Sequence, residues 1–88
     1  MSINIDDLKK KIIYRSTYRG TKEMDALLSS FTKKYIDTLK YDELIILCNF
    51  LDIDDENLYN LNQGKPITNK IDNNKITELF KRFVYRND

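Results

Sequence analysis

Apolar residues recur three and four positions apart along most of this chain, the spacing of amphipathic helices rather than of strands. The first predicted helix runs from Ile5 to Tyr18. Ile5, Leu8 and Ile12 share one face, and Asp6 and Asp7 lie at the electropositive start. Gly20 is expected as its C-terminal cap. Thr21 is placed to cap a second helix, whose inner stripe is Met24, Leu27, Leu28, Phe31 and Tyr35. A third spans Asp42 to Leu51. There Leu44, Leu47, Cys48 and Leu51 face inward, and Ile45 and Phe50 widen the arc, which predicts the most buried helix of the set. Asp54 is expected to cap a short fourth helix, Asp55 to Leu61. Gly64-Lys65-Pro66 interrupts the pattern. A last helix is predicted from Thr68 or Asn69 to Arg86, with Ile76, Leu79, Phe80, Phe83 and Val84 as its core face.

Gly20, Gly64 and Pro66 are the only strong turn formers. A sheet of several hairpins normally needs more, whereas short helix connections manage with few. No repeat or low-complexity tract divides the chain. The expected fold is therefore all-α: one compact domain over residues 1–88, its core within about 5–86, built as a bundle of about five short helices.

Composition narrows the chemistry. The 88 residues include no histidine and one cysteine, Cys48. A zinc site of about four nitrogen and sulfur ligands cannot be assembled, no imidazole exists to activate a nucleophile, and no intrachain disulfide can form. Catalysis is not expected of this chain. Fifteen basic and fourteen acidic residues give a net charge of +1, which exerts no global pull toward nucleic acid or anionic lipid. The opening segment, Met1 to Asp7, has no apolar stretch and carries two acids, unlike a signal or transit peptide. The longest apolar run, Leu44–Cys48, is far below the roughly 18 residues of a membrane span. The expected compartment is the cytoplasm, with no membrane insertion.

Each candidate site has a plain structural alternative. Asp52, Asp54 and Glu56 fall at positions 1, 3 and 5 of a calcium loop, yet Asn57 and Gln63 stand where that loop needs glycine and glutamate. A helix N-cap cluster accounts for these acids better. Lys11, Arg15 and Arg19 follow one another at i, i+4 steps and form a small basic stripe, read either as a nucleic-acid contact or as a solvated face. Cys48, among apolar neighbours, reads as a buried structural thiol. Tyr14 and Tyr18 lie i, i+4 apart and should flank a surface feature just ahead of Gly20.

That feature is Arg19-Gly20-Thr21-Lys22-Glu23-Met24-Asp25, the junction of the first two helices. Gly20 permits positive φ and leaves no side chain in the way of a partner. The opening N–H groups of the second helix are unpaired donors, Glu23 suits the dipole, and Arg19 offers a planar fork for a carboxylate or carbonyl. The plain alternative is a capped helix start with a local Arg19–Glu23 pair.

Arg19-Gly20-x-x-Glu23-x-Asp25 resembles the RGxxE-x-D signature of the succinate dehydrogenase assembly factor family of the bacterial SdhE type. The segment from Leu51 to Tyr59 resembles the family's acidic stretch, and Gly64-Lys65-Pro66 its Gly-Lys-Pro turn. The likeness extends over about Ile5 to Arg86. This chain departs from the family in having no tryptophan, in Asn57 where an acid is common, in a shortened Asn60–Gln63 segment, and in Lys40 or Tyr41 where serine or threonine often caps the third helix. The resemblance implies a five-helix fold and a non-enzymatic role. Members are chaperones that bind the flavoprotein subunit of succinate dehydrogenase, and in some cases of fumarate reductase, and promote covalent attachment of FAD to a histidine of that subunit. By that resemblance Arg19, Gly20 and Glu23 lie in the partner-binding surface; their neighbours Tyr18 and Asp25 are assigned to it with them. No cofactor would be bound stably by this chain, and no nucleic acid. The absence of histidine agrees, since the flavin acceptor must then belong to the partner. Two other classes remain at this point: a nucleic-acid module using the basic face of the first helix, and an adaptor for some other protein.

Overall fold

The computed structural model describes residues 4–68 and 70–85. Five α-helices follow one another: α1 (Ile5–Thr17), α2 (Lys22–Tyr35), α3 (Tyr41–Phe50), α4 (Asp55–Gln63) and α5 (Lys75–Arg82), with a 3₁₀ turn at Ile36–Thr38 after α2. The described residues contain no strand. The all-α bundle expected from the periodicity is the one observed.

Local chemistry sets the helix starts. Asn4, Thr21, Asp54 and Asn74 each accept a hydrogen bond from a backbone N–H of the first turn that has no intrahelical partner. At α3 the cap runs the other way: the Lys40 N–H donates to the Glu43 carboxylate at 2.8 Å. That bond, followed by one from the Lys75 ammonium, holds the Glu43 carboxyl below its ordinary value.

α1 packs on α2 and α3, while α5 packs on α3 and α4. Ile12, Leu28, Leu44, Leu47, Leu58 and Ile76 are excluded from solvent between them. At the centre Phe31 and Phe80 meet edge to face with ring centroids 5.0 Å apart, and Phe50 and Phe83 extend the cluster. Such pairs add to the stabilisation that burial of their area already provides. Cys48 is buried in this core, as its neighbours implied.

Three expectations are corrected. α5 is much shorter than the stretch from Thr68 or Asn69 to Arg86: it begins at Lys75 and ends at Arg82, and Phe83 turns into extended backbone. Asn69, Arg86 and the first residues, Met1 to Ile3, lie outside the described residues. The preceding segment reaches the core without helix, since Ile67 and Ile71 pack against it from an irregular strap. Buried Asn57 holds that strap, its side-chain amide oxygen accepting from the Thr68 N–H at 2.8 Å. Val84, expected in the core, is 69% exposed. Gly20 is also not the cap of α1. That place belongs to Tyr18, whose N–H donates to the Tyr14 carbonyl.

Candidate functional site

α1 stops at Thr17, and the chain bends through Arg19, Gly20 and Thr21 before α2. Asp25, in the first turn of α2, reaches back to accept the Arg19 backbone N–H at 2.5 Å. Thr21 Oγ1 accepts the Met24 N–H at 3.3 Å. The bend is thus tied from the α2 side by two side chains that the sequence places there.

At Gly20 φ is +111°, and a Cβ built on it would meet no atom within 4 Å. The glycine is required by backbone conformation alone, because L-residues seldom adopt such a φ. Its outer face is open. Tyr14 and Tyr18, 65% and 68% exposed, lie against each other beside it, their ring centroids 4.7 Å apart. They do flank the junction, as their spacing suggests.

Arg19 takes a path that the sequence did not disclose. Its guanidinium turns inward, leaving the side chain 12% exposed. Nε donates to Asp55 Oδ1 at 2.9 Å, Nη1 to the Leu51 carbonyl at 2.6 Å, and Nη2 to the Ile53 carbonyl at 2.9 Å. A longer bond links Nη1 to the Arg15 carbonyl at 3.4 Å. The fork finds a carboxylate and carbonyls, as its chemistry predicts, but they belong to this chain's own α3–α4 turn. The local Arg19–Glu23 pair is absent. Arg15 also turns to this turn, donating to Asp52 at 2.6 Å. Two of the three residues of the basic stripe are therefore ion-paired, and only Lys11 has no such partner among the described residues.

Glu23 is exposed and makes no ion pair among the described residues. It stands at the rim of a groove of about 470 Å³ between α2, α4 and the end of α5, with Leu27, Tyr59, Asn62 and Phe83 among its walls. A shallower depression beside it brings Glu23 together with Met24, Asp55, Glu56 and Tyr59. The sequence-derived site consequently splits into two layers. Tyr18, Gly20 and Glu23 face outward; Arg19 and Asp25 hold them from beneath. Asp55 and Tyr59 lie against these residues and are not among those singled out from the sequence. Tyr59 followed an acidic stretch that reads as a helix cap, and nothing local in the sequence links Asp55 to Arg19.

The acidic stretch acts as a cap. Asp54 accepts hydrogen bonds from the Asn57 side-chain amide at 2.8 Å and from its backbone N–H at 3.2 Å, and these hold its carboxyl below the ordinary value. Among the described residues, no group of three or more His, Cys, Asp or Glu side chains converges as a metal ion would need. No helix among them is long and apolar enough to cross a membrane.

Comparison with known proteins bears on this junction. Residues 10–84 match the sequence model of the Sdh5 family, described as "Flavinator of succinate dehydrogenase". The chain is 37% identical over 75 residues to the FAD assembly factor SdhE of Wigglesworthia glossinidia brevipalpis, covering 83% of this chain and 87% of that one. It is 32% identical over 82 residues to the mitochondrial succinate dehydrogenase assembly factor 2 of Lodderomyces elongisporus, covering 89% and 50% of the two chains. Against the same factor of Penicillium rubens it is 37% identical over 51 residues, 58% of this chain and 16% of the other. It thus spans most of the bacterial relative and half or less of these two mitochondrial ones. No solved structure matches it significantly.

Proposed function

Because the chain belongs to the family described as flavinator of succinate dehydrogenase, we propose that it is an assembly chaperone for the flavoprotein subunit of that enzyme. It docks on the subunit through the α1–α2 junction and favours covalent attachment of FAD there. The observation that carries this reading is the open glycine bend, with Tyr18 on one side and Glu23 on the other, tied down by Arg19 and Asp25. A partner backbone can approach Gly20 without displacing a side chain, while the unpaired Glu23 carboxylate supplies charge for orientation.

The chain itself is not an enzyme in this reading. With no histidine it cannot accept the flavin, and with two glycines it has no glycine-rich turn to cradle a dinucleotide. The partner's histidine forms the bond to the flavin, and the chaperone stabilises the conformation in which histidine and flavin are aligned. It binds no cofactor stably and acts in the cytoplasm. Fumarate reductase, whose flavoprotein subunit presents the same chemical problem, is a second client.

Deleting the gene tests the reading. The flavoprotein subunit should persist at normal abundance with little in-gel flavin fluorescence, and re-expression of this chain should restore the signal. Normal covalent flavin in the deletion strain would overturn the proposal.

A further inference from the structure

We infer that Arg19 is a positioning residue that does not reach the partner: it locks the α3–α4 turn beneath the α1–α2 junction, and that turn fixes how Gly20 and Glu23 are presented. The consequence for binding rests on the docking function proposed above. The lock itself belongs to the free chain.

Of the five N–H groups of a guanidinium, four are engaged within this chain, by Asp55, Leu51, Ile53 and Arg15. Too little of the fork remains for bidentate capture of a partner's carboxylate. Its acceptors also explain why the fork is needed. Leu51 closes α3 and Ile53 follows it, so their carbonyls lie at the electronegative end of a helix where backbone acceptors lack partners. Asp55 opens α4. Three acceptors are met by three different nitrogens of one planar group, a pattern that the single nitrogen of lysine cannot reproduce.

The lock has a direct route to the outward layer. Asp55 and Glu56 share the shallow depression with Glu23, so the position of the α4 start sets the surroundings of the Glu23 carboxylate. On the other side the Arg19 backbone N–H is held by Asp25. Arg19 is thereby fixed at main chain and side chain by different elements, and Gly20 is the next residue. The RGxxE segment and the acidic segment act as one device, not as two separate contacts.

Arg19→Lys distinguishes positioning from contact, since it keeps the charge and removes the fork. Amide hydrogen exchange of the free variant should accelerate at least tenfold at the hydrogen-bonded amides of positions 19, 24 and 25 and of 51–53, while the slowest core amides, such as those of Leu28 and Phe31, stay unchanged. Its affinity for the isolated succinate dehydrogenase flavoprotein subunit should fall at least tenfold. Loss of affinity with unaltered exchange at 19, 24 and 25 would make Arg19 a direct contact and overturn the inference. So would accelerated exchange with unaltered affinity. Should Arg19→Lys fail to fold, Asp55→Asn leaves the carbonyl bonds in place and should give the same local signature, with an affinity loss of about threefold; unaltered exchange at 19, 24 and 25 would again be fatal. Gly20→Arg is the separate control. If it binds the subunit like the unaltered chain, the docking surface has been misassigned, while the exchange data still decide whether Arg19 holds the turn.

Discussion

Two turns of this molecule carry a glycine with positive φ, and they use it differently. At Gly64 the chain leaves α4 with φ +71°, in the left-handed helical region, and the adjoining N–H groups return to α4: Lys65 donates to the Asn60 carbonyl at 2.8 Å and Gly64 to Leu61 at 3.4 Å. Glycine there ends a helix, in the usual way. At Gly20 φ is +111°, well outside that region, and the helix has already been closed by Tyr18. The bend is held by side chains from elsewhere: Asp25 at one end and the Arg19 lock at the other. One turn is a local solution that asparagine could nearly reproduce. The other is held in place by three elements and leaves its outer face bare.

The comparison can be broken most forcefully at Gly20. Gly20→Arg should abolish flavoprotein binding, by a hundredfold or more, while strained backbone costs about 1–3 kcal/mol of stability. A pull-down paired with a thermal melt checks both. The matching change at the other turn, Gly64→Ala, should cost about 1–2 kcal/mol through the left-handed φ and leave binding untouched. Equal loss of binding from both would erase the distinction.

A smaller effect lies away from both turns. The buried Thr32 hydroxyl has no hydrogen-bond partner among the described residues, so Thr32→Val, nearly the same shape, should stabilise the fold by about 1 kcal/mol. For a domain of this size that corresponds to a rise in melting temperature of roughly 4–8 °C. Since α2 carries Thr32 and the junction alike, unchanged binding by this variant would confirm that rigidity of the core does not govern presentation of the site.

The smallest effect is electrostatic. Glu43 and Asp54 keep native pKa values below their ordinary 4.5 and 3.8, so the unfolded chain binds more protons in acid than the folded one. Their stabilisation is complete above those ordinary values and is lost as the pH falls through the lowered ones. Asp54→Asn, which keeps a competent cap, should flatten the acid limb of the unfolding curve followed by circular dichroism. Because Asp54 sits in the turn that Arg19 grips, any parallel change in binding below pH 4 would sharpen the contrast between the two glycine turns.

What the sequence disclosed was whatever chemistry stays local. Thr21 and Asp54 were legible as caps because a cap bonds two or three residues ahead. The inner stripe of α2 was legible for the same reason. Arg19 was recognised as a fork, but three of its four acceptors lie 32 to 36 residues away, and no local pattern carries that information. The last helix, expected from Thr68 or Asn69 to Arg86, is shorter because Asn74 caps its start and Phe83 turns into extended backbone, while Ile67 and Ile71 reach the core from an irregular strap. Asp72-Asn73-Asn74 was the available signal, since Asn74 is the cap that starts the helix. The partners of Asn57 and Asn62 were hidden too. Asn62 donates to the Phe80 and Phe83 carbonyls, both at 2.9 Å, closing the end of α5 from another helix.

The Arg19–Asp55 pair also constrains how this chain can vary over generations. A lineage that first lost the acid would leave a largely enclosed guanidinium without its counter-charge, and one that first lost the arginine would uncover the carbonyl end of α3. Either intermediate is at a disadvantage, so positions 19 and 55 should drift as a linked pair. Two stretches of sequence far apart in the chain should then be inherited as a single character.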